Sequence, residues 1–198
     1  MPRIVSEEER QLTKQALHQA CIALIKSKGL WNVTVADITK AAGMAKGSFY
    51  FYYQTKEELL YEVIKISSHK MLDRMMSLRF DAENFKEDVE SILFDIYLAP
   101  DSLVLYIKPM DMEYLLRKSP AEIREQESER SQNSLAQVGE FFGLQVEDRG
   151  TVDYLMDALW MVASHEEDYG KNSRQQSLEI LVYAIADFIN EKSTKKKI

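Results

Sequence analysis

The chain has little of what crosslinks or interrupts a protein fold. Of its 198 residues, one is cysteine, four are proline and seven are glycine. The single cysteine, Cys21, excludes an intrachain disulfide and fits a reducing cytoplasm. Its longest apolar runs, such as 103–107, are too short to span a bilayer, and no basic-then-apolar secretion signal opens the chain. We therefore expect a cytoplasmic protein without a membrane segment.

What the chain does have is apolar residues spaced three and four apart over long stretches, which is typical of helices. This pattern predicts an all-α protein with enough hydrophobic residues to form a core. The first helix should cover 6–28 and bury a stripe of apolar residues, namely Leu12, Ala16, Ala20, Ala23 and Leu24. Further helices are predicted over 34–42, 45–52, 55–80, 84–98, 102–108, 119–142, 148–168 and 174–192.

The charge is distributed unevenly along the chain. The net charge is −7. Residues 1–70 hold 10 Lys and Arg against 7 Asp and Glu, a net +3, whereas 71–198 hold 15 against 25, a net −10. This division of charge is expected if only the basic N-terminal segment contacts DNA phosphates and the acidic rest of the chain does not. Because the basic character fades along the fourth helix, we divide the chain there into a head, 1–55, and a body, 56–198.

Two short helices joined at Gly43 dominate the head. Thr34, with Asp37 three residues later, predicts a capped start for the first. Such a pair is typical of a helix-turn-helix, whose second helix enters the major groove of DNA. If Phe49 points inward, six residues face outward or flank that face: Lys46, Gly47, Ser48, Tyr50, Phe51 and Tyr52.

The chemistry of this outward face suits DNA. Lys46 can bind phosphate or guanine, three hydroxyls (Ser48, Tyr50 and Tyr52) can bind phosphate, and the Phe51 ring can contact a thymine methyl. Glycine within a helix costs about 1 kcal/mol relative to alanine, and close approach of the backbone to DNA would account for Gly47. The alternative is an aromatic core hairpin, for which Lys, Gly and Ser are poor choices.

Residues 10–60 resemble the N-terminal domain of the TetR family of bacterial repressors. The resemblance rests on Gly29, on Thr-Val-Ala-Asp-Ile at 34–38, on the run at 41–53 and on Lys-Glu-Glu-Leu at 56–59. It implies that Thr34 and Lys56 contact phosphates. It also implies that Met44, Phe49 and Tyr53 hold the second helix in place. At Ala45 the family often has a polar residue, so we expect this helix to lack a side-chain cap.

A helix-turn-helix of this kind usually binds palindromic DNA as a two-fold dimer, so we expect a homodimer. Two apolar stripes on the last two helices are the candidate interface, and the resemblance implies a four-helix interface there. The stripes comprise Leu155, Leu159, Val162, Leu178, Leu181, Val182, Ile185 and Ile189. The alternative is that they pack within their own subunit. Each helix has further apolar residues off its stripe, namely Trp160, Met161, Tyr183 and Phe188, so one face could pack internally and another against a partner.

The body also has aromatic and methionine residues that suit the walls of an effector pocket. The candidates are Phe94, Tyr97, Tyr106, Met110, Tyr114, Met156 and Trp160. Three interleaved carboxylates, Asp95, Asp111 and Glu113, would select an apolar cation. The alternative is an ordinary core with solvated acids.

Other classes of protein fit the sequence less well. It lacks the glycine-rich nucleotide loops and the G-x-S-x-G motif, and none of its histidines follows a glutamate at metal-ligand spacing. We therefore expect no enzyme, cofactor or metal. A helical adaptor that binds a ligand or a protein but not DNA remains the alternative to a ligand-responsive repressor.

Overall fold

The computed structural model of the protein describes residues 6–81, 83–99, 102–165 and 171–195, with Ile96, Tyr97 and Lys171 described by their backbone alone. Within these ranges the chain forms nine α-helices and no strand, which confirms the all-α prediction. No helix in these ranges is both long and apolar enough to cross a membrane. The helices are α1 (Glu7–Lys28), α2 (Val35–Ala41), α3 (Lys46–Phe49), α4 (Lys56–Ser77), α5 (Phe85–Ile92), α6 (Pro109–Lys118), α7 (Ala121–Phe141), α8 (Val146–Ala163) and α9 (Lys171–Lys192).

The first two helices begin at capping boxes and end at glycines. The Ser6 hydroxyl accepts a hydrogen bond from the Glu9 amide at 3.1 Å, and the Glu9 carboxylate accepts one from the Ser6 amide. Thr34 and Asp37 cap α2 in the same reciprocal way, as predicted. Gly29 and Gly43 follow with φ of +76° and +69°, a region that side-chain-bearing residues rarely adopt.

Several predicted elements differ from the structure. Leu12 and Ala23 of α1 are exposed, and its buried face carries Leu17, Cys21 and Ile25. The predicted helix 102–108 is a short 3-10 turn, Leu103–Leu105. A helix that the prediction missed, α6, follows it. The third helix is a single turn that begins at Lys46, and its N-cap residue, Ala45, makes no side-chain cap. Hydrogen-bonded turns continue from this helix up to Tyr53.

The apolar side of the helix-turn-helix lies in a core that we call the head core. The first half of α4 contributes to it, and so do three residues of the body, Leu103, Ile107 and Leu115. The buried residues of the head itself are Leu17, Cys21, Ile25, Leu30, Val33, Ile38, Phe49 and Tyr53. The head therefore packs on α4 and α6 over a shared core, and the division at residue 55 stays a prediction.

The C-terminal helices form a second core, the body core, in which α8 and α9 pack against each other and α5 packs on α9. The stripes proposed for dimerisation supply much of this core, so for their buried members the structure favours the alternative, packing within their own subunit. Five of their residues are buried within the single chain: Leu159, Leu178, Val182, Ile185 and Ile189. The other three, Leu155, Val162 and Leu181, are partly buried against the same core. An amphipathic stripe has the same sequence pattern in either case.

Candidate functional site

The outward side of α3 and the turn after it forms an exposed surface on the head. Phe49 is fully buried, whereas the neighbouring Phe51 is 82% exposed and Tyr50 is 55% exposed. Lys46 and Gly47 are exposed too, and nothing lies within 4 Å of a Cβ built on Gly47. Ser48 and Tyr52 are half-buried, and Tyr52 packs against the head core. We call 46–52 the recognition segment.

A polar network anchors this segment to the two helices behind it. Tyr53 is only 5% exposed, and its hydroxyl lies 2.9 Å from Nε2 of His18 on α1. Glu62 of α4 lies 3.5 Å from both His18 and Lys14. Its contact with His18 lowers the pKa of Glu62, and burial raises the pKa of Tyr53, so the carboxylate is charged and the phenol neutral at pH 7. The network fixes the end of the recognition segment on α1 and α4.

Thr34 and Lys56 lie outside the recognition segment and are expected to contact phosphate. Both also make hydrogen bonds within the protein that hold the head together. The Thr34 hydroxyl bonds Asp37, whose carboxylate also accepts from Lys28 at 2.5 Å. These hydrogen bonds lower the pKa of Asp37 to about 2, and the bond from Lys28 has the largest effect. Lys56 Nζ donates to the Val33 carbonyl at 2.9 Å. An ammonium has three donors, so this bond is compatible with a phosphate contact.

A cavity of about 790 Å³ lies in the body between α4, α6, α7 and α8. Its apolar wall includes Leu103, Ile107 and Trp160, and Trp160 donates a hydrogen bond to the Ile107 carbonyl at 2.7 Å. A smaller cavity of about 200 Å³ borders it at Met71 and Ser131. Because Leu103 and Ile107 also belong to the head core, the large cavity adjoins the packing that holds the head.

Most residues predicted to form the pocket do not line these cavities. Trp160 lines the large cavity and Met156 the small one. Phe94 packs against Tyr183, Tyr106 lies at the surface beside Lys26, Met110 is 73% exposed, and Tyr114 stacks on Trp31 of the head with ring centroids 4.2 Å apart. The side chain of Tyr97 lies outside the described residues. Four of the seven predicted residues thus lie outside both cavities.

The physical reason is the helix that the prediction missed. Met110 and Tyr114 are four residues apart on α6 and share one side of it, whereas Met112 and Leu116 share the side that faces the cavity. Sequence signals for α6 exist: Pro109 stands at its first position, Asp111 accepts a hydrogen bond from the Lys108 amide at 2.7 Å, and Arg117 and Lys118 end it.

The charge of the cavity is opposite to the prediction. Asp95 and Glu113 are exposed and Asp111 caps α6, so none of the three carboxylates lines it. Among the described lining residues four are cationic, Lys70, Arg74, Arg124 and Arg130, and one, Glu127, is acidic. The three carboxylates on which the expectation of a cationic ligand rested thus lie outside this cavity, and its described lining suits an anion. In the first half of α7, which is rich in charged residues, no sequence signal distinguishes Glu127 or Arg130.

Both α8 and α9 carry exposed apolar side chains on the side of the helix opposite its buried residues, and we call these two sides the exposed face of α8 and α9. Tyr154 is 80% exposed and Met161 is also exposed on α8, and Ile180 is 67% exposed and Tyr183 is also exposed on α9. Ala184 continues the face on α9. Met161 and Tyr183 are two of the four residues that the sequence placed off the two stripes; of the others, Trp160 lines the large cavity and Phe188 packs against the body core. The outward face of these helices thus differs from the one first predicted.

Sequence comparison gives matches to bacterial regulators of transcription. Residues 17–63 match the family model described as bacterial regulatory proteins, tetR family. The regulator YvdT of Bacillus subtilis is 27% identical over 104 residues, which are 50% of this chain and 54% of YvdT. The regulator AcrR of Shigella flexneri is 26% identical over 93 residues, which are 47% of this chain and 42% of AcrR. The chain thus spans about half the length of these relatives.

Solved structures share the fold over most of the chain. FadR of Bacillus subtilis, a transcriptional regulator solved in complex with stearoyl-CoA, gives a TM-score of 0.60 at 20% identity, covering 88% of this chain and 96% of FadR. A TetR-family regulator from Marinobacter aquaeolei VT8 gives 0.58 at 18% identity, covering 92% and 91%. At these identities the likeness concerns the fold alone.

Lys56 and Lys46 separate a structural role from a surface role. Lys56→Met removes the bond to Val33, so we expect the free energy of unfolding to fall by about 1 kcal/mol. Lys46→Met changes an exposed side chain, so we expect a change within about 0.5 kcal/mol. Urea denaturation of both variants measures the difference. Equal stabilities would contradict the role assigned to Lys56.

Proposed function

We propose that the protein is a DNA-binding regulator of transcription, from the premise that residues 17–63 match the family model described as bacterial regulatory proteins, tetR family. It acts as a homodimer on a palindromic operator and represses until an effector bound in the body releases the DNA. The site of action is the cytoplasm. Because the relatives named above are regulators of transcription, they favour this function over that of an enzyme.

The observation that carries the proposal is the exposed recognition segment. A folded head that leaves Phe51 and Tyr50 in solvent, beside Lys46 and a helical glycine, has a surface without a role in its own packing. The core hairpin, the alternative considered from the sequence, would have buried these rings. The DNA contacts we propose are Thr34, Lys46, Gly47, Ser48, Tyr50, Phe51, Tyr52 and Lys56.

The charge distribution supports this orientation on DNA. The head side of the chain is net positive and the remainder strongly negative, so phosphate attracts the head and repels the body. Repulsion from the acidic body favours complexes in which only the heads approach the duplex. A whole-chain charge of −7 is therefore compatible with DNA binding.

The exposed face of α8 and α9 supports the homodimer. Large apolar side chains clustered on one face of a soluble protein mark an interaction site. Two-fold packing of this face against its copy would form a four-helix interface. Its residues would be Tyr154, Met161, Ile180 and Tyr183. The two stripes predicted from the sequence would lie behind this interface, in the body core. The interface residues proposed here replace those expected from sequence.

The effector that fits the large cavity has an apolar part and an anionic group. Its apolar wall suits a hydrocarbon chain, and the four cations of the described lining suit a carboxylate or phosphate. The complex of FadR with stearoyl-CoA supports an acyl ligand for this fold. The effector proposed here is still largely apolar, as expected from the sequence, but its charged group is an anion and not a cation.

Selection of bound sequences from random DNA by the purified protein gives the operator and tests the function. On that operator we expect Lys46→Ala and Tyr50→Ala to weaken binding by at least about tenfold, because each removes a contact to phosphate or base. A phosphate contact also lowers the salt slope by about one unit. Fluorescence anisotropy at several salt concentrations measures both effects.

A third head variant, Gly47→Ala, tests the close approach of the backbone to DNA, and Lys192→Ala serves as the matched control. Gly47→Ala meets free space within the protein, so we expect unchanged or higher stability together with weaker operator binding. Lys192→Ala, near the end of α9, makes the same charge change far from the head and should not affect binding. Full operator affinity in all three head variants would reject the recognition segment, and no enriched sequence would favour the helical adaptor.

Placing a charge on the exposed face of α8 and α9 should give monomers. Tyr154→Glu and Ile180→Glu would each bury an unpaired carboxylate in the proposed interface, which is costly. Val146, also exposed and apolar, is the first residue of α8 and lies about two turns before Tyr154, so Val146→Glu should stay dimeric. Sedimentation velocity distinguishes the species. Dimers in both interface variants would contradict the proposed dimer.

A further inference from the structure

An ion pair on α7, formed by Glu127 and Arg130, lies in the wall of the large cavity. A hydrogen bond from Tyr61 connects it to α4. The Tyr61 hydroxyl on α4 donates to Oε2 of Glu127 on α7 at 2.5 Å. Arg130 Nε donates to the same oxygen at 2.7 Å, and its Nη2 donates to Oε1. Glu127 is 9% exposed and Tyr61 is 5% exposed, so the contact is largely shielded from water. Glu127 and Arg130 line the cavity.

Stability alone is a weak reason for such a pair. The desolvation of two charges offsets most of their attraction, and apolar residues of similar size often stabilise a protein as well. The pair has a second property: the two nitrogens of Arg130 hold a carboxylate in the bidentate geometry that also suits a ligand carboxylate or phosphate. Glu127 thus occupies an anion site in the wall of a cavity that is otherwise cationic.

We propose that Arg130 anchors the anionic group of an amphiphilic effector, and that Glu127 occupies this anchor in the free protein. The effector's carboxylate or phosphate exchanges with Glu127 at Arg130, and its chain lies along the apolar wall at Ile107 and Trp160. This rests on the proposed function in treating the cavity as the effector site. Lys70, Arg74 and Arg124 balance the added negative charge.

The exchange has a direct consequence for α4. Burial opposes ionisation of Glu127, but hydrogen bonds from Arg130 and Tyr61 lower its pKa below the ordinary value. A Glu127 that loses Arg130 must move towards water or take up a proton, and in either case its bond from Tyr61 weakens. Tyr61 lies between Leu60 and Val63, which belong to the head core. Effector binding thus releases a contact on the helix that carries the head.

The variant Glu127→Gln tests the anchor in the absence of DNA. The amide keeps an acceptor for Tyr61 but removes the anion that competes for Arg130. We expect laurate and dodecyl phosphate, used below their micelle concentrations, to bind this variant about tenfold more tightly than the unchanged protein. Dodecanol, with the same chain and no charge, should bind both proteins equally. Isothermal calorimetry measures all three.

The variant Arg130→Lys keeps the positive charge and loses the bidentate geometry, so we expect laurate binding about tenfold weaker and dodecanol binding unchanged. If Glu127→Gln fails to fold, as judged by its melting curve, Arg130→Lys and the preference of the unchanged protein for laurate over dodecanol still decide the question. The relative affinities for laurate and dodecyl phosphate identify the anionic group.

The variant Tyr61→Phe separates the anchor from its connection to the head. It leaves Glu127 paired with Arg130, so laurate should still bind. If the Tyr61 contact carries the signal, saturating laurate should weaken operator binding at least about threefold less in Tyr61→Phe than in the unchanged protein. A melting curve controls for general destabilisation. An unchanged laurate effect on operator binding would reject this connection.

The proposal is overturned if Glu127→Gln folds and leaves laurate affinity unchanged, if the unchanged protein prefers dodecyltrimethylammonium or dodecanol to laurate, or if no anionic probe binds. These binding measurements need no DNA. A protein that binds laurate at Arg130 but no operator would refute the proposed function and leave the anchor standing. One that binds an operator but no anionic probe would do the reverse.

Discussion

One helix, α4, is buried at its start in the head core and near its end in the body core. Its 22 residues make a rod of about 33 Å. Leu59, Leu60 and Val63 pack among head residues, and Met75 packs among those of α5, α8 and α9. Between these ends, Ile64 and Met71 form part of the cavity wall. A ligand that moves α4 at the cavity would therefore, on the proposed function, also move the helix on which the head packs.

A second connection runs through α6. Leu115 lies in the head core and Tyr114 stacks on Trp31, while Met112 and Leu116 face the cavity. The cavity therefore touches two of the elements on which the head is packed. A ligand there can favour one head arrangement only if it binds that arrangement more tightly. The Glu127–Arg130 pair is a contact whose state differs between an empty and an anion-filled cavity.

The sequence predicted the helix-turn-helix well because its signals are local. The box of Thr34 and Asp37, the turn at Gly43 and the inward Phe49 depend on residues within a few positions of one another, and the structure confirms each. The match to the family model lies in the same segment. Phe51, which periodicity places opposite Phe49, is also as exposed as expected.

The body was less predictable because burial there depends on tertiary packing. Periodicity identifies an apolar side of α8 and α9 but does not say whether it faces the subunit's own core or a partner, so Leu159 and Ile185 were assigned to the wrong surface. The cavity depends on which side of α6 faces inward. Tyr61 and Glu127, 66 positions apart, meet only in the folded chain.

The central claim is that occupancy of the body cavity and DNA binding by the head are coupled through α4, and linkage gives its most direct test. The affinity of laurate is measured by calorimetry for the free protein and for the protein saturated with its selected operator. We expect laurate to bind the operator complex more weakly, by the same factor by which laurate weakens operator binding. Equal laurate affinity in the two states would contradict the coupling.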